Sequence, residues 1–132
     1  MMVKFEFNKL VRNKLIKRFQ EQKIIVNGLI LTPDQFIEKL REKIIEEAQE
    51  VCQARKQEDL LTEFADLLEV IDALAKACAI DYKDIEEAKV KKREVNGYFS
   101  PESYINNILV DKNNTKVMDY LKSKNRSYKL EH

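Results

Sequence analysis

Five acidic side chains in two clusters are the residues of this sequence best suited to chemistry. Glu46, Glu47 and Glu50 form an E-E-x-x-E group, and twelve residues later Glu63 and Asp66 form an E-x-x-D group. Acids three apart lie on the same face of a helix. Two such faces brought together form an oxygen-lined pocket for a hard divalent cation, which nucleotide phosphate chemistry requires.

Composition narrows the class of protein. A chain of 132 residues predicts one domain with a single core. The 44% hydrophobic and 36% charged residues favour a soluble helical protein. A net charge of +1 gives no basic field for nucleic acid, and no apolar run is long enough to span a membrane. We therefore expect neither nucleic acid nor a membrane as a partner.

The rarer residue types point to compartment and chemistry. Cys52 and Cys78 fall inside helical patterns, which favours reduced core residues and a cytoplasmic location. The lack of a recognisable signal peptide also favours that location. His132 is the only histidine, so the pattern predicts no histidine catalysis or ligation. Residues 130–132 are interpreted as a tag remnant, and the single domain is placed at 1–129.

Helical patterns dominate the elements that must position these acids. Thr32, Pro33 and Gln35 carry the signature of a capping box, which predicts a helix from Pro33 to about Lys56. Asn27-Gly28 between two apolar runs predicts a small N-terminal hairpin. A basic amphipathic helix is predicted over about 8–22, and two further helices from about Asp59 to Ala79 and from about Tyr82 to Val95. Asn96-Gly97 is the predicted terminator of the last of these. A short helical turn at Ser100-Pro101 and a final helix capped by Thr115 are predicted after it. The predicted fold class is all-α, an antiparallel helical bundle with that hairpin.

Glu47 conflicts with the apolar pattern of its own helix. The apolar stripe there consists of Ile37, Leu40, Ile44 and Val51. At 100° per residue, Glu47 falls in the middle of this stripe and Glu50 on its flank. A carboxylate in a core stripe is costly unless it is paired or bound to a metal.

The following helix offers the facing acids. Its predicted stripe consists of Leu60, Phe64, Leu67, Ile71 and Leu74. Glu63 and Asp66 flank this stripe, and a short link near Gln57 makes the two helices antiparallel neighbours. Either acid group alone would be interpreted as solvated surface charge. The two together, with Glu47 on the apolar stripe, favour a metal site.

The two acid groups resemble the E-E-x-x-E and E-x-x-D signature of the all-α nucleoside triphosphate pyrophosphohydrolases. Within this MazG-like superfamily the chain is most similar to the phosphoribosyl-ATP pyrophosphohydrolase-like branch. Residues 9–14, Lys-Leu-Val-Arg-Asn-Lys, are similar to the run with which that branch tends to begin. Residues 96–99, Asn-Gly-Tyr-Phe, are a looser counterpart of the branch's Arg-Gly-Gly-Phe.

The resemblance implies a cofactor, a reaction and a set of site residues. It implies Mg²⁺, with Mn²⁺ as a substitute, and hydrolysis between the α- and β-phosphates of a nucleoside triphosphate. The metal ligands carry over onto Glu47, Glu50, Glu63 and Asp66. Glu46 matches the first acid of the motif, and with Glu47 it is assigned to catalysis as a residue that supports the ligands or orients water. Family members are commonly dimers or tetramers, so the resemblance also implies a homo-oligomer.

Basic residues must balance the phosphate charge that a cation leaves over. The candidates lie in the first basic segment and in the helix after the acids. They are Lys9, Arg12, Lys14, Lys89, Lys92 and Arg93.

Three functions remain open at this point. The first is a house-cleaning pyrophosphohydrolase that acts on a surplus or non-standard nucleotide. The second is the phosphoribosyl-ATP pyrophosphohydrolase of histidine synthesis. The third is a module that binds nucleotide, or a helical partner, without catalysis.

Overall fold

Five α-helices make up the regular structure of the computed structural model, which describes residues 1–124. They are α1 (Asn13–Glu21), α2 (Pro33–Gln53), α3 (Gln57–Ala77), α4 (Tyr82–Asn96) and α5 (Thr115–Ser123). Within the described residues there is no β-strand. The predicted all-α class is therefore confirmed. The interpreted tag remnant, residues 130–132, lies outside the described part of the chain.

The start of α2 follows from local sequence chemistry. Thr32 Oγ1 accepts a hydrogen bond from the Gln35 backbone N–H at 3.3 Å. In return, Gln35 Oε1 accepts one from the Thr32 backbone N–H at 3.0 Å. Pro33 occupies the first turn, where its missing N–H has no intrahelical partner to lose. The predicted capping box is confirmed.

The pair formed by α2 and α3 is the main helix–helix contact of the described chain. Only residues 54–56 separate the two helices, and such a short link makes them antiparallel neighbours. Glu47 lies six residues before the end of α2, and Glu63 lies six residues after the start of α3. Both acids therefore stand at the same distance from the link, about 9 Å at a rise of 1.5 Å per residue.

The interior between these helices is small. Leu40 on α2 and Val70 and Ala75 on α3 are the buried apolar side chains of the described residues. Glu47 is buried with them at 9% exposure. The position of Glu47 on the apolar stripe of α2 is thus confirmed.

A second apolar face of α3 points away from α2. Leu61 is 69% exposed, Phe64 46% and Leu68 55%. These residues recur at helical spacing and form what we call the outer row of α3. The assignment of Phe64 to the inward stripe was wrong. Two apolar stripes run along this helix, and the stripe that includes Val70 is the one that packs against α2.

The predicted N-terminal hairpin is not confirmed. Residues 24–31 have no regular structure, and Ile25, Leu29 and Ile30 are exposed. A two-residue hairpin turn of type I′ requires positive φ at both central residues. Neither Asn27 nor Gly28 has a positive φ. An isolated pair of short strands with no surface to pack on is marginal in water.

The ends of the remaining helices show both agreement and difference. Gly97 has a φ of 76° and donates its N–H to Arg93 O at 2.8 Å, which confirms it as the terminator of α4. Asn114, one residue before the predicted Thr115, caps α5. α1 begins at Asn13, not near residue 8, and no helical turn forms at Pro101.

The chain divides into two compact units, Met1–Lys92 and Arg93–His132, of which the second is described up to Lys124. The first unit holds α1, α2, α3 and most of α4. The second holds the last turn of α4 and all of α5. Across residues 1–124, no helix combines the length and the apolar character that crossing a membrane requires.

Candidate metal centre

Three acids from α2 and α3 converge in the first unit. Glu47, Glu63 and Asp66 each offer one carboxylate oxygen, and these oxygens lie within 4.8 Å of one another. Glu47 is buried, and the other two are half-buried. We call these three residues the acid triad. It brings together three of the four metal ligands that the family signature implies.

The surroundings of Glu63 disfavour its negative charge. Partial loss of solvent raises the pKa of its carboxyl group, and the negative charges of Glu50, Asp66 and Glu47 raise it further. Each of these groups favours a proton or a cation near Glu63. A divalent ion would satisfy that demand for positive charge at the point where the carboxylates meet.

The remaining two acids of the signature lie beside the triad. Glu50 is exposed and lies outside the triad, although its charge acts on Glu63. Glu50 is three residues, or 300°, along α2 from Glu47 and is therefore rotated by about 60° from the buried position. Glu46 is half-buried. Partial burial would raise its pKa, but hydrogen bonds from Lys9 and Lys43 outweigh that effect and lower the pKa.

Three basic side chains form ion pairs with these acids. Lys9 Nζ is 3.2 Å from Glu46 Oε1, and Arg12 Nη2 is 2.9 Å from Asp66 Oδ1. Lys43 Nζ is 3.3 Å from Glu46 Oε1 and 3.5 Å from Glu47 Oε1. Sequence reasoning proposed Lys9 and Arg12 for phosphate and missed Lys43. Its spacing of three and four residues from the two glutamates was the signal that could have identified it.

The other predicted phosphate-binding residues are placed differently. Lys14 on α1 is exposed and has no ion pair with any residue from 1 to 124. Lys89 Nζ lies 3.5 Å from Oε1 of Glu86, which is on the same helix. Lys92 is exposed, also without an ion pair among the described residues. In the second unit the Arg93 guanidinium lies over the Tyr98 ring, 5.4 Å from its centroid.

The donor set of the triad fits a hard divalent cation. All three ligands are carboxylate oxygens, which Mg²⁺ and Mn²⁺ prefer over the nitrogen and sulfur ligands typical of zinc sites. Oxygens on one Mg²⁺ at about 2.1 Å lie at most about 4.2 Å apart, so small side-chain rotations bring the triad to a single ion.

The acid groups on α2 and α3 are the residues on which the resemblance to the all-α nucleoside triphosphate pyrophosphohydrolase superfamily is based. The family model for phosphoribosyl-ATP pyrophosphohydrolase matches residues 12–94, and the chain belongs to this family. Members of the family are pyrophosphohydrolases that act on phosphoanhydride bonds. The match confirms the resemblance predicted from the acid groups. Comparisons with curated proteins and with solved structures give no match.

Proposed function

We propose that this chain is a divalent-metal-dependent nucleotide pyrophosphohydrolase. In the proposed reaction, water attacks the α-phosphorus of a nucleoside triphosphate. The bond from that phosphorus to the α–β bridging oxygen breaks, and the products are a nucleoside monophosphate and pyrophosphate. Mg²⁺ is the proposed cofactor, with Mn²⁺ as a substitute.

The acid triad is the observation that carries this proposal. Its three carboxylates meet within 4.8 Å at the interface of α2 and α3, and residues 12–94, which contain them, match the family. A buried Glu47 beside two other acids is an expensive arrangement for a fold alone. A cation held by Glu47, Glu63 and Asp66, with Glu50 as a fourth ligand, accounts for it.

Side chains of the protein supply the other roles in the proposed reaction. A bound divalent cation supplies positive charge that neutralises phosphate oxygens. Glu46 stands beside the triad with a lowered pKa and is therefore ionised near neutral pH. An ionised carboxylate at this position can accept a hydrogen bond from the attacking water and hold it in line. Glu47 would hold the cation in place. Glu46 and Glu47 are thus the two residues with proposed catalytic roles.

Basic residues complete the proposed phosphate site. Lys9, Arg12 and Lys43 already lie next to the acids and are close to where phosphates would bind. Lys89 and Lys92 of α4 are proposed to bind the outer phosphates. Arg93, which belongs to the second unit, stays a phosphate-binding prediction from the sequence. Arginine and lysine stabilise the charge that develops as pyrophosphate leaves.

Two substrate classes fit this chemistry. One is a surplus or non-standard nucleoside triphosphate, which makes the protein a house-cleaning enzyme. The other is phosphoribosyl-ATP, which the family match favours at least as strongly. Both substrates share the α–β phosphoanhydride bond, so the acid triad serves either, and a substrate panel must include both.

A homo-oligomer is part of the proposal, and a dimer through α3 is the simplest form. The outer row of α3 leaves Leu61, Phe64 and Leu68 exposed, and Leu61 and Phe64 line an open apolar depression. Contiguous exposed apolar patches of this kind mark interaction sites. A second copy of the chain, related by a twofold axis, would cover the same row on both partners. A cytoplasmic site of action stays a prediction. Cys52 and Cys78 are both free, which fits it, but both are exposed, so the core position predicted for them was wrong.

Pyrophosphate release over a substrate panel tests the function. The panel contains canonical and modified nucleoside triphosphates and phosphoribosyl-ATP, each with Mg²⁺, with Mn²⁺ and with EDTA. We expect pyrophosphate, not orthophosphate, from at least one substrate, and none with EDTA. No product from any substrate would favour the non-catalytic module. Activity that survives EDTA would contradict the proposed dependence on a divalent metal.

Calorimetry with Mn²⁺ alone tests the metal centre independently of turnover. The double variant Glu50→Gln and Asp66→Asn should abolish binding because it removes one ligand from each helix. Glu38→Gln is the matched control, since Glu38 is an exposed acid on α2 far from the triad. Unchanged Mn²⁺ binding in the double variant would remove these acids from the metal centre.

A further inference from the structure

Residues 8–12, which we call the N-terminal segment, connect both helices of the candidate metal centre. Lys9 reaches Glu46 on α2 at 3.2 Å, and Arg12 reaches Asp66 on α3 at 2.9 Å. The four residues Lys9 to Arg12 thus connect Asp66, which belongs to the acid triad, with Glu46, which lies beside it. Both contacts lie within the first unit.

Arg12 differs from Lys9 in the acid that it contacts. Lys9 contacts Glu46, which is not part of the triad. Arg12 contacts Asp66, whose other oxygen is free of any hydrogen bond among the described residues. Arg12 is 62% exposed, and its ion pair with Asp66 is its side-chain polar contact among the described residues, so we attribute its position mainly to the charge of Asp66.

We infer that Arg12 is a positioning residue that occupies Asp66 in the metal-free protein and opposes the binding of a divalent cation there. This inference rests on the proposed metal centre and adds a role for a residue outside the acid signature. Arg12 holds Asp66 while the site lacks metal, and the cation must displace it. The freed guanidinium then stands beside the site, where an incoming phosphate can bind it.

Charge alone sets the size of the effect. A unit charge and a divalent cation about 5 Å apart in water repel each other, and salt at physiological strength roughly halves that repulsion. Removal of the Arg12 charge should therefore tighten divalent binding by about fivefold. A residue that only supported the shape of the site would have the opposite effect, because its loss would weaken metal binding.

The experiment measures Mn²⁺ affinity without nucleotide, by the electron paramagnetic resonance signal of free Mn²⁺. The variants are Arg12→Gln, Arg12→Lys and Lys17→Gln, each compared with the wild type. Lys17 is the matched control because it is an exposed basic residue on α1 that is not assigned to the site. We expect about fivefold tighter binding for Arg12→Gln, and changes within about twofold for Arg12→Lys and Lys17→Gln.

A spectroscopic measurement follows the side chain itself. In ¹⁵N-labelled protein, the Arg12 side-chain N–H resonance, assigned by its loss in Arg12→Lys, should move toward the position of free arginine as Mg²⁺ is added. A resonance that stays in place through saturation would overturn the displacement of Arg12.

The outcomes separate this inference from the proposed function. Mn²⁺ binding that is weaker or unchanged in Arg12→Gln would overturn the inference and leave the metal centre intact. Tighter binding in that variant supports the inference even if the substrate panel yields no pyrophosphate. Absence of Mn²⁺ binding in every variant would overturn both.

Discussion

Replacement of Glu47 by glutamine tests whether its buried carboxylate serves a metal or the fold. Glu47 is 9% exposed, and its carboxylate lies 3.5 Å from Lys43 Nζ. At an effective dielectric constant near 20, an ion pair at this distance contributes about 4–5 kcal/mol. Desolvation opposes this gain by several kcal/mol for each ion. The like charges of Glu63 and Asp66, with oxygens within 4.8 Å, oppose it further.

These effects nearly cancel in the metal-free protein. Glu47→Gln should therefore be neutral or more stable by up to about 1 kcal/mol in EDTA. A cation present at a hundred times its Kd stabilises the wild type by about 2.7 kcal/mol, which for a domain of this size is roughly 10 °C in Tm. The variant has lost a ligand and should gain little. The order of stabilities should reverse when metal is added.

Thermal and urea unfolding followed by circular dichroism measures this reversal, first in EDTA and then in Mn²⁺. Glu38→Gln on the same helix should track the wild type in both conditions. Destabilisation of metal-free Glu47→Gln by more than about 1 kcal/mol would assign Glu47 to a structural pair with Lys43. Full Mn²⁺ stabilisation of the variant would show that Glu47 is not a ligand.

Three further predictions follow from the site and its surface. The raised pKa of Glu63 means that the folded chain binds this proton more tightly than the unfolded chain does, so metal-free stability should fall as pH rises from 4.5 through the raised pKa. Urea unfolding across that range should show a flatter profile for Glu63→Gln, and an identical slope would contradict the crowding argument. Asp66→Asn should lower kcat by at least about 10²-fold, whereas Lys92→Gln should raise KM with little change in kcat if Lys92 only binds phosphate. Steady-state kinetics distinguishes these two patterns. A wild-type kcat in Asp66→Asn would refute the assignment of Asp66 to the metal centre. Phe64→Glu should shift the chain toward monomer in sedimentation velocity, and an unchanged oligomer would place the interface elsewhere.

The sequence predicted those features that depend on a single helix. The capping box at Thr32 and Gln35 is local chemistry, and it forms as expected. The burial of Glu47 follows from the 100° period of α2, which needs no knowledge of the partner helix. The E-x-x-D spacing likewise placed Glu63 and Asp66 on one face of α3.

Features that depend on distant parts of the chain could not be predicted. The hairpin at Asn27-Gly28 needed a surface to pack on, and the dipeptide pattern carries no information about one. The pairing of Arg12 with Asp66 joins residues 54 positions apart, and only the path of the N-terminal segment brings them together. Phe64 was misplaced because α3 has two apolar stripes, and periodicity alone does not say which of them meets α2.

The equal distance of Glu47 and Glu63 from the link at residues 54–56 constrains how sequences of this architecture can vary in length. An extra residue in α2 after Glu47 would move that acid by about 1.5 Å and rotate it by 100°, away from Glu63. Extra residues in the link itself leave both helices, and hence both acid faces, unchanged. Length can otherwise change only in matched steps, about seven residues or two turns added to each helix together. Among related chains, the number of residues between the two acid groups should therefore vary through the link or by such paired steps, and not by single insertions within the helices.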